Sequence, residues 1–341
     1  MNDLSRGKIL VTGGAGFIGS ALVWELNRRG LTNILVTDVL GRDEKWKNLV
    51  ALRFADYLEA DDLSKRLESL GDVRTIFHLG ACSSTTETDA SFLIRNNFEY
   101  TKMLAHFSLQ RGCRFLYASS AATYGEAAAE VAEDVPLETL RPLNMYGYSK
   151  HLFDCYAERA GFLNQVTGLK YFNVFGPNEN HKGDMRSVVH KAFGQIQERG
   201  VAKLFKSYRR EYLDGGQCRD FLYVKDAVAA TLFLAEHSDG GGLFNVGSGE
   251  PNTWNTLVGS IFQALGRETH IEYVDMPDHL RSKYQYFTRA RVDKLRAAGY
   301  SREFTDLREA VRDYVQMYLA PNRYLGDEAA FPETPVAAGQ H

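Results

Sequence analysis

The 341-residue sequence predicts an α/β fold, a doubly wound parallel sheet with a smaller C-terminal lobe. Three observations carry this reading. Short, nearly continuous apolar runs alternate with longer amphipathic ones, the pattern of βαβ units whose strands are covered on both faces. A glycine-rich stretch joins the first apolar run directly to the first amphipathic segment. Beyond Pro177 the alternation loosens into polar and densely charged sequence.

The strands are read in order as KILVT (8–12), NILVTD (33–38), TIFHLG (75–80), RFLYASS (114–120) and LKYFNVFG (169–176). Amphipathic segments at 18–29, 89–110 and 149–162 supply the helices between them. Residues 1–176 and 217–247 are assigned to the sheet domain, with an excursion back to the main sheet near 221–246. Residues 177–216 and 248–320 form the substrate-covering lobe. From Pro321 onward the sequence lacks periodicity and reads as a loose tail. No internal repeat is present.

Composition narrows the function. Hydrophobic residues make up 44% and charged residues 24%, ordinary for a globular protein. A formal net charge of -3 gives no electrostatic case for nucleic acid or an anionic membrane. The four cysteines, Cys82, Cys113, Cys155 and Cys218, are scattered, as expected of reduced thiols. The N-terminus lacks the apolar core of a signal peptide, and no apolar run approaches the roughly 20 residues a membrane helix needs. A cytoplasmic protein is expected.

The stretch VTGGAGFIGSALVWEL places Gly13, Gly16 and Gly19 between a strand and a helix. Glycines here allow a tight turn, close approach of a pyrophosphate and tight helix packing, while the helix N-terminus faces the anion. Together with strand before and helix after, this is a Rossmann-type dinucleotide site. Asp38 ends the second strand, where a carboxylate binds ribose hydroxyls and favours NAD. Arg42, Lys45 and Lys47 follow and would neutralise the 2′-phosphate of NADP, so both cofactors stay open. Asp56 falls where a third strand would end, meeting the adenine amino group or capping a helix.

In NMYGYSK, Tyr146 and Lys150 are four apart and share a helix face. Just upstream, YASSAATYG sets Ser119, Ser120 and Thr123 at a strand end, the edge where such sheets bind ligands. A phenol of pKa ~10 is a poor base at neutral pH, but a nearby ammonium and an oxidised nicotinamide favour the phenolate. Tyr146 is thus the candidate acid/base, Lys150 its electrostatic partner and Ser120 a hydrogen-bond partner of the reacting oxygen. Tyr148 lies on the wrong face.

TGGAGFIGS, SSAATYG, YGYSK and YFNVFGP resemble the extended short-chain dehydrogenase/reductase family, which contains the nucleotide-sugar epimerases. FHLGACSSTTETD, ASSAATYGE, PLNMYGYSKHLFD, HKGDMRSV and KYQYFT are similar, more narrowly, to the ADP-L-glycero-D-manno-heptose 6-epimerase family of lipopolysaccharide core synthesis. The likeness runs from about Lys8 to Tyr318.

The resemblance implies epimerisation of an ADP-heptose at an unactivated carbon by oxidation and re-reduction, with NADP, the family's usual cofactor, tightly bound and recycled. It makes Lys182 a second acid/base beside Tyr146. It assigns the cofactor to Phe17, Ile18, Asp38, Val39, Lys45, Leu79, Gly80, Ala81, Cys82, Ser83, Asn97, Lys150 and Val174. For the substrate it assigns Ser83, Ser120, Asn173, Asp184, Lys191, Phe205, Lys206, Ser207, Tyr208, Arg219 and Tyr284. It also implies a homopentamer. The sequence departs from the family at Lys191, often histidine, and at Asp184, serine in some members. Without the resemblance, Lys182 reads as solvated, whereas Arg219 makes independent sense as a fork for a diphosphate, with a surface residue paired with Asp220 as the alternative. The rival readings are a UDP-hexose 4-epimerase, a nucleotide-sugar 4,6-dehydratase and a non-catalytic NADP-binding sensor. Ala121 and Ala122 stand where the dehydratase carries Asp-Glu. His78 reads as a satisfied core group, and no histidine pair suggests a metal.

Overall fold

The computed structural model describes residues 2–125, 132–237, 241–281 and 284–330. Seven parallel strands form the main sheet: β1 (Lys8–Thr12), β2 (Ile34–Asp38), β3 (Asp56–Glu59), β4 (Val73–His78), β5 (Arg114–Ser120), β6 (Thr167–Tyr171) and, later in the chain, Gly242–Val246. Their spatial order is β3-β2-β1-β4-β5-β6 followed by Gly242–Val246 at the edge. The order reverses between β1 and β4, which opens a crevice at the strand carboxyl ends. Register brings Thr12 beside Thr37 and His78, and Ser120 beside Tyr171, so the residues that follow all emerge along one edge.

The apolar runs are unbroken because both faces of the sheet are buried. Ile9 and Val11 point into one core with Leu22, Leu26, Val228 and Leu232, while Leu10 points into the other with Leu104, Phe107, Phe115 and Phe153. The helices that cover the sheet include α1 (Phe17–Arg28), α2 (Ala60–Arg66), α3 (Ala90–Leu93), α4 (Tyr100–Arg111) and α5 (Met145–Arg159). The segment read as one helix at 89–110 is two, joined by a π-helical turn at Ile94–Glu99. Such turns take up an extra residue and mark functional sites. Asp89 caps α3 by accepting from the Phe92 amide at 2.9 Å.

Two expectations from the sequence change. The run LKYFNVFG is not one strand. It leaves the main sheet at Phe172 and continues as β7 (Asn173–Phe175), which pairs in parallel with a strand of a second, three-stranded sheet. That strand spans Cys218–Tyr223; only Gly242–Val246 of the expected excursion rejoins the main sheet.

In chain order the later elements are α6 (Val188–Arg199), β8 (Ala202–Phe205), β9 (Cys218–Tyr223), α7 (Val224–His237), β10 (Gly242–Val246), β11 (Pro251–Thr253), α8 (Trp254–Ala264) and β12 (Ile271–Val274). β11 pairs antiparallel with β9, and β12 pairs in parallel with β8.

The tail is also not loose over 321–330. Leu325 is fully buried, Tyr318 donates its hydroxyl to Glu328, and Asp327–Ala330 closes as a 3₁₀ turn. A proline-free apolar residue in a polar stretch was too weak a signal to reveal this docking. Residues 331–341 lie outside the described residues, as does Lys283 of KYQYFT. No helix among the described residues is long and apolar enough to cross a membrane.

Candidate active site

At the crevice a cleft of about 570 Å³ gathers most of the expected residues: Gly13 through Gly19 of the glycine loop, Asp38 and Lys45, the 79–83 segment after β4, Ser120, Tyr146, Lys150, Asn173, Val174 and Lys182. Its glycine loop is shaped by close contacts. Gly13 has φ +68°, a conformation L side chains rarely adopt, and a Cβ there would sit 2.6 Å from Gly80 on the neighbouring strand's loop. A Cβ on Gly19 would lie 2.0 Å from the Gly13 carbonyl oxygen. The bare backbone lets α1 start directly at the cleft, and no side chain caps that start. Its N–H groups and dipole therefore face the cleft, which fits a diphosphate.

Asp38 is buried and fully engaged. One carboxylate oxygen accepts from the amides of Ala15 at 2.9 Å and Gly16 at 3.0 Å; the other accepts from the Val39 amide at 2.7 Å and Lys45 Nζ at 3.1 Å. Lys45 Nζ also donates to the Val39 carbonyl at 2.8 Å. The carboxylate thus ties the glycine loop to a cation at the end of β2. Val39 itself is 51% exposed.

Asp56 is a correction. It opens β3 instead of ending it, opposite Leu35, while Glu59 lies opposite Asp38 at the carboxyl end. Asp56 is exposed and outside the cleft lining, three residues down the strand from the carboxyl end where the sequence reading put it. Nor is it the helix cap, since α2 begins at Ala60. The strand starts where the sequence reading had it end.

Tyr146 and Lys150 project from the first turns of α5, whose start is capped by Asn144 accepting from the Gly147 amide at 2.8 Å. Lys150 is 4% exposed, whereas Tyr148 is 45% exposed on the other face. Burial lowers the Lys150 pKa to about 8, against an opposing pull from Asp154. Burial raises the Tyr146 phenol, and a hydrogen bond with Ser120 opposes that rise. The protein alone therefore keeps the phenol neutral. Ser120 Oγ also accepts from the Ala122 amide at 3.1 Å.

Asn97 does not line the cleft but braces it. Its side chain bonds the Cys82 amide and carbonyl, each at 2.9 Å, and donates to Ser149 Oγ at 2.9 Å. Ser149 Oγ in turn donates to the Tyr146 carbonyl at 2.7 Å. The π-helical turn thus points one amide at both the 79–83 segment and the Tyr146 helix.

Lys182 faces the same cleft from the polar segment after β7, half-buried, with Nζ 5.0 Å from the centre of the Phe17 ring. Burial lowers its pKa, Glu179 opposes that, and Lys191 adds to it. The solvated reading does not hold. Neither Asp184 nor Lys191 lines the cleft; both are exposed, and Lys191 Nζ donates to the Asp184 carbonyl. Phe205, Lys206, Ser207, Tyr208, Arg219 and Tyr284 are likewise outside that lining and make a second cluster. There Arg219 lies 5.1 Å from the Tyr284 ring centre and 5.8 Å from that of Trp254, and Trp254 Nε1 donates to the Tyr284 hydroxyl at 2.9 Å. Phe205 meets Tyr284 edge-on at 6.5 Å, and the Tyr208 amide donates to the Tyr286 hydroxyl at 3.0 Å. Arg219 is 7% exposed, and its guanidinium donates to the Cys218 and Gln285 carbonyls. It is not a surface partner of Asp220, whose carboxylate is taken by Ser248, Gly249 and Ala290. The pairing of β7 with β9 links the clusters, since Asn173 lies opposite Phe221, two residues from Arg219.

The sequence reading missed several groups. His181 lines the cleft beside Lys182, its pKa lowered to about 4 by burial and by Lys45. Its place next to Lys182 was the available signal. Asn48 and Asn178, both buried, form a hub behind the cleft. Asn48 Nδ2 reaches the carbonyls of Ala15 at 2.9 Å and Asn178 at 3.0 Å, with His181 Nδ1 at 3.3 Å. Asn178, at φ +76°, donates to Ser20 Oγ at 3.0 Å and accepts from the Leu325 amide at 2.9 Å. His78 is buried between Thr12 at 2.6 Å and Thr101 at 2.8 Å. Among the described residues no cluster could hold a metal ion.

The model of the NAD dependent epimerase/dehydratase family matches residues 9–247. The chain belongs to the NAD dependent epimerase/dehydratase family. Over 315 residues it is 52% identical to the ADP-L-glycero-D-manno-heptose-6-epimerase of Nitratidesulfovibrio vulgaris, covering 91% of this chain and 98% of that protein. The enzyme of the same name from Fusobacterium nucleatum is 44% identical over 325 residues, covering 92% and 98%. Among solved structures, Helicobacter pylori ADP-L-glycero-D-manno-heptose-6-epimerase superposes with a TM-score of 0.77 at 27% identity, covering 93% of this chain and 98% of that one. Membership of this family implies a nicotinamide cofactor, and the glycine loop with the uncapped α1 start has a geometry that fits a dinucleotide.

Proposed function

We propose that the chain is an ADP-L-glycero-D-manno-heptose 6-epimerase, interconverting ADP-D-glycero-β-D-manno-heptose and its L-glycero epimer at C6″. The observation that carries the reading is one cleft holding two acid/base candidates, Tyr146 on α5 and Lys182 above Phe17. An epimerase must serve both faces of a planar centre, and two proton carriers on different elements suit that task. Relatives at 52% and 44% identity carry the same enzyme's name, which supports the substrate.

A bound nicotinamide supplies reversible hydride transfer, the chemistry a carbon with no acidic hydrogen requires. The chain's own residues do the rest. Tyr146 and Lys182 take and return the proton of the C6″ hydroxyl, each for one orientation of the sugar. Lys150 places positive charge beside the phenol and favours its ionised form, and Ser120 hydrogen-bonds the reacting oxygen. Asn97 holds the 79–83 segment against α5. Lys45 and the neighbouring Arg42 and Lys47 favour NADP over NAD by offering cations to a 2′-phosphate. Arg219, among aromatic rings, is suited to a diphosphate, with Tyr284 and the 205–208 turn beside it. Asp184 and Lys191, exposed and outside the cleft lining, are assigned to the sugar by the family resemblance alone. We assign the enzyme to the cytoplasm, to lipopolysaccharide core synthesis and to a homopentamer, as the family resemblance implies.

The decisive experiment incubates the purified protein with ADP-D-glycero-D-manno-heptose, no cofactor added, and resolves the 6″-epimers chromatographically. Conversion towards a mixture supports both the reaction and a recycled cofactor. No conversion, even with NADP and NAD supplied, overturns the reading in favour of a UDP-hexose epimerase.

A further inference from the structure

We propose that the buried Asp154–Lys170 pair is a positioning device, holding Ser120 in place against Tyr146 through the hydroxyl of Thr123. The proposal rests on the epimerase reading above, and it concerns groups that touch neither substrate nor cofactor.

Asp154 lies on α5 one turn after Lys150, and Lys170 lies on β6; both side chains are fully buried. Lys170 Nζ donates to Asp154 Oδ2 at 2.9 Å and to Thr123 Oγ1 at 2.6 Å. The Thr123 hydroxyl passes its own hydrogen to the Ser120 carbonyl at 2.8 Å. From the other side Asp154 Oδ2 accepts from Ser119 Oγ at 2.8 Å, and Oδ1 accepts from the Tyr117 hydroxyl at 2.8 Å. The last two residues of β5 are therefore gripped separately, Ser119 by its side chain and Ser120 by its carbonyl. Ser120 Oγ is left to face Tyr146 and the Ala122 amide.

A buried ion pair adds little net stability, because desolvating two charges cancels most of their attraction. An apolar pair of similar volume would hold β6 to α5 as well. What it would lack is direction: charge-assisted hydrogen bonds fix where their partners point. Here each bond ends within two residues of a group that reaches the cleft.

The groups facing the Tyr146 phenol are Ser120 from the end of β5 and Cys82 from the segment after β4, and Lys150 shares the cleft from its own helix. Lys182 and His181 face the shared cleft from the segment after β7. Asp154 and Cys82 act on Lys150, and Asp154, Lys170 and Arg141 act on the neighbouring His151. Since Ser120 is the contact that opposes the rise of the phenol's pKa, slack at Ser120 leaves Tyr146 harder to ionise.

The test uses the NADP-loaded protein. Thr123→Val keeps the volume and the ion pair but cuts the relay. It is expected to lower kcat about tenfold with KM within about twofold, and to move the acid limb of the kcat profile up by about one pH unit. Thr123→Ser, which keeps the hydroxyl, is expected to restore both. The neutral double variant Asp154→Asn/Lys170→Met is expected to melt near the wild type yet keep the kcat loss, which separates direction from stability. Ultraviolet titration of phenolate, differenced against Tyr146→Phe, follows the same shift with no substrate present. Wild-type kcat and an unmoved phenol titration in Thr123→Val overturn the proposal. A wild-type protein that turns over no ADP-heptose overturns the epimerase reading instead, and the phenol titration then still decides the positioning role.

Discussion

The Lys182 ammonium lies over the ring of Phe17, 5.0 Å from its centre. Phe17 is the first residue of α1, so a candidate proton carrier rests on the helix that starts at the glycine loop. A cation is attracted to an aromatic face, and the Glu179 carboxylate opposes the fall that burial imposes on the Lys182 pKa. Lys182→Met should preserve folding and bound cofactor while lowering kcat by about 10²–10⁴. Epimer chromatography beside a thermal melt checks this, and a full wild-type rate would make Lys182 a bystander.

Tyr146→Phe removes one oxygen from the cleft and leaves Lys150, Ser120 and the glycine loop in place. Turnover is expected to fall by a comparable factor of about 10²–10⁴. Protein-bound cofactor, released by denaturation and measured by absorbance, should stay at the wild-type level. Normal turnover removes Tyr146 from the chemistry; lost cofactor shows that the phenol holds the dinucleotide.

Lys150 carries a stability cost with a definite pH window. Its folded pKa of about 8 lies below the ordinary lysine value of 10.5 because burial disfavours the ammonium. Between those values the unfolded chain holds a proton the folded chain has lost, so stability rises with pH there; below pH 8 the full penalty remains. In cofactor-stripped protein, Lys150→Met should therefore be more stable than wild type at pH 7, by on the order of 2–3 kcal/mol. The advantage should shrink as pH climbs from 8 towards 10.5. Denaturant titrations at pH 7 and pH 10 measure it, and a methionine variant that is weaker at pH 7 contradicts the account.

Lys45 is the cation bonded to Asp38 at the end of β2. Lys45→Ala should weaken NADP about tenfold and NAD much less, because only NADP brings a 2′-phosphate to that position. Fluorescence titration of the stripped protein with each reduced cofactor distinguishes the two. Equal losses for both would assign Lys45 to shaping Asp38 and remove the basis for preferring NADP.

The strand-helix alternation and the glycine loop were legible because both-face burial and a bare phosphate-binding turn leave local marks. Tyr146 and Lys150 were legible because helical spacing is local too. Asp56 was misplaced since nothing nearby says where a short edge strand begins. LKYFNVFG looked like one strand because it reads as a single largely apolar run, and only the tertiary partners of β6 and β7 separate its halves. Asn97, His181 and the Asn48–Asn178 hub depend on contacts between segments 15 to 158 residues apart. No periodicity records contacts of that kind. The docking of Leu325 escaped for the same reason.

That docking has a consequence for the order in which the chain becomes competent. During synthesis the N-terminal part emerges first and can begin to fold while the rest is still being made. The glycine loop, Asp38 and the Tyr146 helix are all complete within the first 159 residues. Among the described residues, Asn178, which anchors the segment leading to Lys182, has its carboxamide oxygen satisfied by the amide of Leu325. A growing chain can thus shape its glycine loop early, while the segment that leads to Lys182, the second candidate proton carrier, gains the Leu325 contact only after residue 325 has left the ribosome. The part shaped for a dinucleotide is an early product of translation, and the support for the second candidate proton carrier is a late one.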